Sequence, residues 1–333
     1  MSTLVPTLSV RVAAAEALTP DIKSFRLVAA NGELLPGYAP GAHLSVMVPP
    51  APGRRETVLW RSYSLINFDP SAETTQPVTE YRIAVRRGED ERGGSRYLHD
   101  EVRAGDTLTL RPPTNNFPLD PLPEVLLLAG GIGVTPIISI ASALVAQRRG
   151  FQLHYTGRTR AQLAYVDELR ALVGDQRLYL HADDEADTRL SIEALLNAAN
   201  PQQPIYVCGP PGMIDATLEI AQRRGWRRED LHFELFSEAQ PLEGDQAFEV
   251  QLKSTGVVLT VPADKSILDT LLEAGVDMMY DCRAGYCGLC STPVSAGEIE
   301  HRDTYLSAAD KDSGRVMQVC VSRAKCARLV LDL

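Results

Sequence analysis

The segment Cys282-Arg283-Ala284-Gly285-Tyr286-Cys287-Gly288-Leu289-Cys290 spaces three cysteines as C-x4-C-x2-C, and a fourth, Cys320, follows 30 positions after the third. This is the plant-type spacing for a 2Fe–2S cluster, in which four thiolates hold two irons. Spacings this short force a tight loop around the inorganic core. Gly285 and Gly288 let backbone N–H groups approach the sulfurs, and such bonds tune the potential. Clusters of this type sit at about −400 mV, low enough to donate electrons. Zinc is the competing reading, but structural zinc favours paired C-x2-C knuckles, and here the first spacing is four. Cys326 falls outside the pattern and reads as a small residue beside the final strand.

Five of the six cysteines lie in the last 52 residues, and the sixth is Cys208. A secreted disulfide framework would spread them along the chain, so a cluster site in a reducing compartment, the cytoplasm, is expected. At ~150 residues per domain, 333 residues predict two or three domains, each able to bury its own core. Apolar residues make up 44% and charged residues 23%, as in soluble globular proteins. The net charge of −10 argues against nucleic acid as a partner, because phosphate neutralisation needs a basic surface. The charge is uneven: 0 over residues 1–119, −7 over 120–246 and −3 over 247–333, which suits solubility and an acidic docking face at the C-terminal end. The first basic residue is Arg11 and no apolar stretch follows a charged start, so no secretory signal is expected. Val125 to Ala146 is uncharged and long enough to cross a bilayer, but Gly130, Gly131, Gly133 and Pro136 interrupt it. It reads as a buried strand, a glycine turn and a buried helix, with no membrane partner.

Residues 1–119 show short alternating runs at Leu8–Val12, Ser24–Val28, His43–Val48, Tyr81–Arg86 and Thr107–Arg111, separated by Asn31-Gly32, Pro36-Gly37, Pro52-Gly53 and Gly105-Asp106. Such spacing predicts an antiparallel β-barrel or sandwich. Over residues 120–236, strands at Val125–Ala129, Gln152–Tyr155, Leu178–His181, Ile205–Cys208 and Leu231–Glu234 alternate with helices at Ile137–Arg149, Ala161–Leu172, Ile192–Ala199 and Met213–Arg224. That alternation predicts a doubly wound parallel sheet. Residues 237–246 are polar, contain Pro and Gly, and read as a linker. Residues 247–333 begin with a hairpin, Phe248–Lys253 and Val257–Val261, followed by a helix at Ser266–Ala274, the cysteine loop and a final strand at Arg328–Leu331.

Gly130-Gly131-Ile132-Gly133-Val134-Thr135-Pro136 joins a strand to a helix. A turn without side chains exposes N–H groups to a phosphate, and the helix dipole helps hold it. The turn departs from G-x-G-x-x-G, so it is open to a plain structural reading as well. Cys208-Gly209-Pro210-Pro211-Gly212 repeats the arrangement later in the sheet, and paired turns at the carboxyl ends of parallel strands are where a dinucleotide binds. Cys208 itself reads either as a small buried thiol or as a nicotinamide contact. In the first domain, Arg61-Ser62-Tyr63-Ser64-Leu65 sets a cation, a ring and hydroxyls on one segment, and Arg92-Gly93-Gly94-Ser95 offers a nest of N–H donors. Each alone is equally well a solvated strand or a surface turn.

The order of these motifs gives them meaning together. Over about residues 5–333 the chain resembles the phthalate dioxygenase reductase family, which includes vanillate demethylase reductases. The resemblance implies three domains: an FMN-binding antiparallel β-barrel (1–119), an NAD-binding α/β domain (120–236) and, after the linker, an α+β β-grasp ferredoxin domain (247–333). It implies flavin contacts from Arg61, Tyr63, Ser64, Gly93, Gly94 and Ser95, with Ala84, Val85 and Arg86 on an adjoining strand. Thr135 and Phe236 match positions that approach the flavin ring from the nucleotide domain. NADH would bind through Gly130, Gly131, Gly133 and Thr135 and through Cys208-Gly209-Pro210, and the cluster through Cys282, Cys287, Cys290 and Cys320. Arg158 and Arg160 follow the second parallel strand, where a 2′-phosphate would sit, so NADPH is the alternative coenzyme, and FAD is the alternative flavin.

Family members supply electrons to a Rieske non-haem iron oxygenase, and relatives with this domain order are often monomers. The implied path runs from NADH through flavin and cluster to that partner, converting a two-electron donor into single-electron steps. No catalytic triad, HExxH motif or paired carboxylates stand out, in keeping with hydride transfer. A reductase for a cytochrome P450 or a soluble ferredoxin is the alternative enzyme, and a redox sensor or a zinc-binding interaction module the alternatives of other classes.

Overall fold

The computed structural model describes residues 6–49, 59–88, 94–121, 124–236 and 242–333. Two compact units form, one ending at Glu234 and the other beginning at Leu235.

The first unit opens with β1 (Leu8–Ala17), β2 (Ile22–Ala29), β3 (His43–Val48), β4 (Leu59–Ser64), β5 (Glu80–Arg86), a short helix α1 (Ser95–Asp100) and β6 (Thr107–Thr114). The six strands form one antiparallel sheet in the order β4-β3-β6-β1-β2-β5. Just past β4, the N–H of Ile66 donates to the carbonyl of Arg82 on β5 at 2.9 Å, which brings the two edges together. The sheet thereby curls into a barrel. Its interior is a continuous apolar cluster around Phe25, Leu27, Leu44, Val46, Tyr81 and Ile83. The turn at Pro52-Gly53 lies outside the described residues.

The chain then alternates: β7 (Glu124–Gly130), α2 (Val134–Ala146), β8 (Gly150–Gly157), α3 (Val166–Val173), β9 (Leu178–Ala182), α4 (Ile192–Ala198), β10 (Ile205–Cys208), α5 (Pro211–Arg223) and β11 (Leu231–Glu234). All pairings are parallel, in the order β11-β10-β7-β8-β9, so the strand order reverses between β7 and β10. Val125 to Gly130 are buried on both faces because a central parallel strand is covered from both sides. α2 is buried nearly all round, which accounts for the uncharged stretch beginning at Val125. No helix among the described residues is long and apolar enough to cross a membrane. The helix read over Ala161–Leu172 instead begins at Val166. Tyr165 turns to φ 63° and its hydroxyl donates to Ser24 Oγ in the barrel at 2.8 Å, so a tertiary bond overrides the local periodicity.

Barrel and α/β sheet share one core. Ile22, Ile66, Ala84 and Phe117 join Val125, Leu127, Ile137 and Tyr155 in a single cluster. Polar bonds cross the same seam: Tyr206 Oη accepts from the Asp120 N–H at 2.8 Å, and Asn67 Nδ2 donates to Ser142 Oγ at 3.3 Å.

The second unit contains β12 (Phe248–Leu252), β13 (Val258–Val261), α6 (Ile267–Glu273), β14 (Ser291–Ala296), β15 (Ile299–Glu300), α7 (Ala308–Ser313), β16 (Val316–Gln318), β17 (Arg323–Ala324) and β18 (Arg328–Leu331). A mixed five-stranded sheet, β13-β12-β18-β14-β16, packs against α6, with β15 and β17 as a separate pair. The hairpin turns at Gly256, where φ is +73°. Residues 242–246, read from sequence as part of a linker, are fastened to this unit: the buried Asp245 carboxylate takes a pair of bonds from Arg302, at 2.5 and 2.9 Å. Arg302 holds the Asp245 carboxyl at about 2, below the ordinary carboxylate range.

The tightest constraint in the first unit lies at its strand reversal. A Cβ on Gly133 would stand 2.2 Å from the carbonyl oxygen of Cys208. Gly133→Ala is therefore expected to separate the two turns and lower the unfolding free energy by about 1–3 kcal/mol, the usual cost of overpacking. Thermal unfolding of the purified variant checks this; an unchanged midpoint would contradict it.

Candidate functional site

The carboxyl ends of β7 and β10 lie side by side. Gly130 and Gly209 approach so closely that a Cβ on Gly209 would stand 3.0 Å from Gly130 Cα, and one on Gly130 would stand 2.6 Å from Pro210 Cδ. Gly130, Gly133 and Gly209 thus serve backbone packing. Gly131 differs, with φ +54° and nothing within 4 Å of its Cβ position, so its surface is the part of the turn open to a ligand. Thr135 is buried and its Oγ1 donates to Ile132 O at 3.1 Å, bracing the turn. Pro210 stays exposed at the start of α5.

Three strand ends bring polar groups into the same buried region. Glu234 ends β11 beside Cys208, its register partner on β10. Glu234 is only 3% exposed. Its carboxylate accepts a hydrogen bond from Ser64 Oγ at 3.4 Å and lies 3.8 Å from His43 Nδ1. His43 Nε2 in turn meets Thr114 Oγ1 at 3.0 Å. Burial, and secondarily the Glu234 charge, push the Cys208 thiol well above its ordinary range. Ser64 and Cys208 were singled out from sequence, whereas His43 was not. For the buried role of Glu234 the available signal was a single acid in the short, largely apolar strand segment Phe233 to Phe236, since a buried carboxylate needs partners.

On the barrel, Gly94 sits at φ +88°, and a Cβ there would stand 2.8 Å from Arg61 Cγ. Arg61 and Gly94, 33 positions apart, are thereby neighbours, as a shared anion site requires. Ser95 Oγ accepts from the Gly88 N–H at 3.3 Å. Tyr63 is half-buried, and burial pushes its hydroxyl up while Arg61 pulls it down. Gly93 and Arg92 lie outside the described residues. Ala84 and Val85 pack in the two cores, and Arg86 pairs with Asp21 at 3.2 Å, so their side chains are occupied within the fold. Phe236 belongs to the second unit and is 45% exposed.

At the end of β8, Arg158 is exposed, and Arg160 Nε donates to both Glu185 oxygens, at 2.8 and 2.9 Å. Glu185 also accepts from Thr188 Oγ1 at 3.0 Å. Arg160 and then Thr188 hold the Glu185 carboxyl below its usual range.

In the second unit the four cysteines meet. Cys290 Sγ lies 3.2 Å from Cys320 Sγ, and Cys282 is hydrogen-bonded to both Cys287 and Cys320. These bonds pull the Cys282 and Cys290 thiols down; bonding to those sulfurs pushes Cys287 and Cys320 up, and burial adds to the rise. Among the described residues no three ligand side chains surround a single-ion position. The sulfurs instead contact one another as a group of four. The loop conformation explains the glycines: Gly285 (φ +77°) lies against Val321 and Asp303, and Gly288 (φ +80°) lies under the Tyr305 ring. The Ala284 N–H points at Cys282 Sγ, 3.4 Å away. Arg283, also left-handed, anchors the loop to Asp269 at the start of α6. A four-thiol donor set with an inward-facing backbone N–H fits a 2Fe–2S cluster.

A barrel sharing a core with a doubly wound sheet, and a mixed-sheet unit gathering four cysteines, together define a modular electron-transfer reductase. Residues 127–219 match the family described as an oxidoreductase NAD-binding domain, and residues 250–325 match the 2Fe-2S iron-sulfur cluster binding domain. The heme-dependent oxidative N-demethylase beta subunit of Ectopseudomonas mendocina (strain ymp) is 40% identical over 334 residues, covering 100% of both chains. The solved phthalate dioxygenase reductase, described as modular for electron transfer from pyridine nucleotides to [2Fe-2S], is 35% identical with a TM-score of 0.74, covering 98% of each chain. A self-sufficient cytochrome P450 monooxygenase is 32% identical with a TM-score of 0.75; the match covers 98% of this chain and 41% of that one. The chain belongs to the family of oxidoreductases that includes phthalate dioxygenase reductase and the reductase subunits of multicomponent oxygenase systems.

The raised Cys208 thiol carries a direct consequence. Thiolates, not thiols, react with iodoacetamide, so Cys208 is expected to stay unmodified in the folded protein at pH 8 and to react only after unfolding. Peptide mass mapping checks this, and rapid labelling of native Cys208 would contradict the burial described here.

Proposed function

We propose that the chain is an NADH-dependent reductase component that uses FMN and a 2Fe–2S cluster to supply electrons to a Rieske non-haem iron oxygenase in the cytoplasm. A flavin takes two electrons together as a hydride and releases them singly, and a 2Fe–2S cluster carries one at a time. The observation that carries the reading is the convergence of Cys282, Cys287, Cys290 and Cys320 in a chain that also has an NAD-binding domain.

The residues divide the work. The open surface at Gly131 and the adjoining start of α2 suit the coenzyme pyrophosphate. Arg61 over Gly94 suits the flavin phosphate, and Tyr63 supplies an aromatic face beside it. Ser64, His43 and Glu234 form a buried polar lining that excludes bulk water, and Cys208 stays a neutral thiol there. Hydride transfer in such a site needs orientation and dryness more than a general base. Residues 1–119, 120–236 and 247–333 would serve as the flavin, nucleotide and cluster domains. The clustered free thiols favour a reducing compartment.

NADH is favoured over NADPH by the Arg160–Glu185 pair. Of the two cations placed to meet a 2′-phosphate, Arg160 is already engaged, and Glu185 would repel that phosphate. Glu185→Gln is expected to raise kcat/KM for NADPH relative to NADH by about two- to fivefold, the size of an exposed ion pair. An unchanged ratio would remove this pair from coenzyme selection.

A second reading is a haem-containing oxygenase as partner. It is favoured by the 40% identity to a subunit of a heme-dependent demethylase and by the likeness to a self-sufficient cytochrome P450 monooxygenase. Reconstitution with each partner type separates the two. Either way, Cys290→Ser is expected to abolish partner reduction while NADH oxidation by ferricyanide persists. Loss of both activities with flavin still bound would overturn the division of labour.

A further inference from the structure

Gln318 is a long amide packed directly on a cluster cysteine. It is 0% exposed. β14 and β16 pair so that Ser291 faces Gln318, which sets the amide next to Cys290 and two residues before Cys320. Its Oε1 lies 3.2 Å from Cys290 Sγ, and its Nε2 donates to Ser291 Oγ at 2.5 Å. Ser291 Oγ in turn donates to Gly288 O at 2.7 Å, inside the cysteine loop.

That arrangement suits a thiol and not a thiolate. The Cys290 S–H can donate to an amide oxygen. A thiolate bound to iron has lost its proton to solvent and can only accept. An amide oxygen held 3.2 Å from a thiolate would be repelled. The amide has a donor end on the same planar group, so a half-turn about its last torsion exchanges the two. The rest of the network can follow. Ser291 Oγ–H then donates to the relocated Oε1, and Gly288 O keeps the Ser291 N–H bond it already accepts at 3.1 Å. No buried group is left unpaired by the exchange.

We propose that Gln318 turns its amide when the cluster assembles and donates an N–H to the Cys290 thiolate, thereby raising the cluster's reduction potential. The inference rests on the four cysteines being the cluster ligands. A donor to a ligand sulfur stabilises the reduced cluster, which carries one more negative charge, more than the oxidised one. Gln318 is thus a positioning and tuning residue, acting on the reaction through Cys290.

The test is an EPR-monitored redox titration of the full-length protein with its cluster. Gln318→Met keeps length and removes the donor. It is expected to shift the one-electron reduction equilibrium up to tenfold toward the oxidised form, a fall in midpoint of up to about 59 mV. Ser291→Ala removes the group that anchors the turned amide and is expected to lower the midpoint less. If Gln318→Met does not retain its cluster, Ser291→Ala decides. An unchanged or raised midpoint in the deciding variant, with iron and sulfide content intact, overturns the proposal. Zinc in place of iron and sulfide in the unsubstituted protein would instead overturn the ligand reading on which it rests.

Discussion

Everything in the first unit depends on how closely two backbone turns approach at the strand reversal. Gly133 meets the Cys208 carbonyl, and Gly130 meets Gly209, with no room for a Cβ in either place. That contact fixes β7 against β10 at their carboxyl ends and seals the space behind them. Cys208 therefore sits with no solvent, and Glu234, paired in register with it, is forced to find its partners across the seam at Ser64 and His43. The polar lining of the site is a consequence of the glycine packing, since a buried carboxylate must be satisfied where it stands.

The two sites treat the same element, cysteine sulfur, in opposite ways. At Cys208, burial and a nearby carboxylate oppose ionisation, so the sulfur remains a small neutral group. In the cysteine loop, left-handed glycines turn backbone N–H groups inward, and S–H···S hydrogen bonds link the sulfurs to one another. The surroundings, and not the residue type, decide how readily each sulfur ionises.

Much of this was legible in the chain, for identifiable reasons. The cysteine spacing is local, so it could be read directly. The buried β7 and α2 were legible because central parallel strands are apolar without alternation. The roles of the glycines were not. Gly133 reads as part of a phosphate turn until a carbonyl 75 positions later is found against it. The Arg160–Glu185 pair was equally hidden, because exposed charges 25 residues apart leave no periodic trace. β14 to β17 escaped because they are short and broken by Pro293 and Gly297, and α3 started late because Tyr165 is claimed by Ser24.

Charge also explains why the second unit begins where it does. The Asp245 side chain is 5% exposed, and there Arg302 grips it and Arg323 stands 3.7 Å away. Arg323 in turn spans the carbonyls of Gln246, Pro262 and Lys265 while lying over the Phe248 ring. A polar stretch that composition alone assigns to a linker thus becomes, from Leu242 onward, part of the folded unit. The same carboxylate and guanidinium chemistry that holds the linker's end also ties β15 and β17, through Arg302 and Arg323, to the start of β12. The elements around the cysteine loop are therefore braced by ion pairs on one side and by the sheet on the other, which is what a rigid electron-transfer site requires.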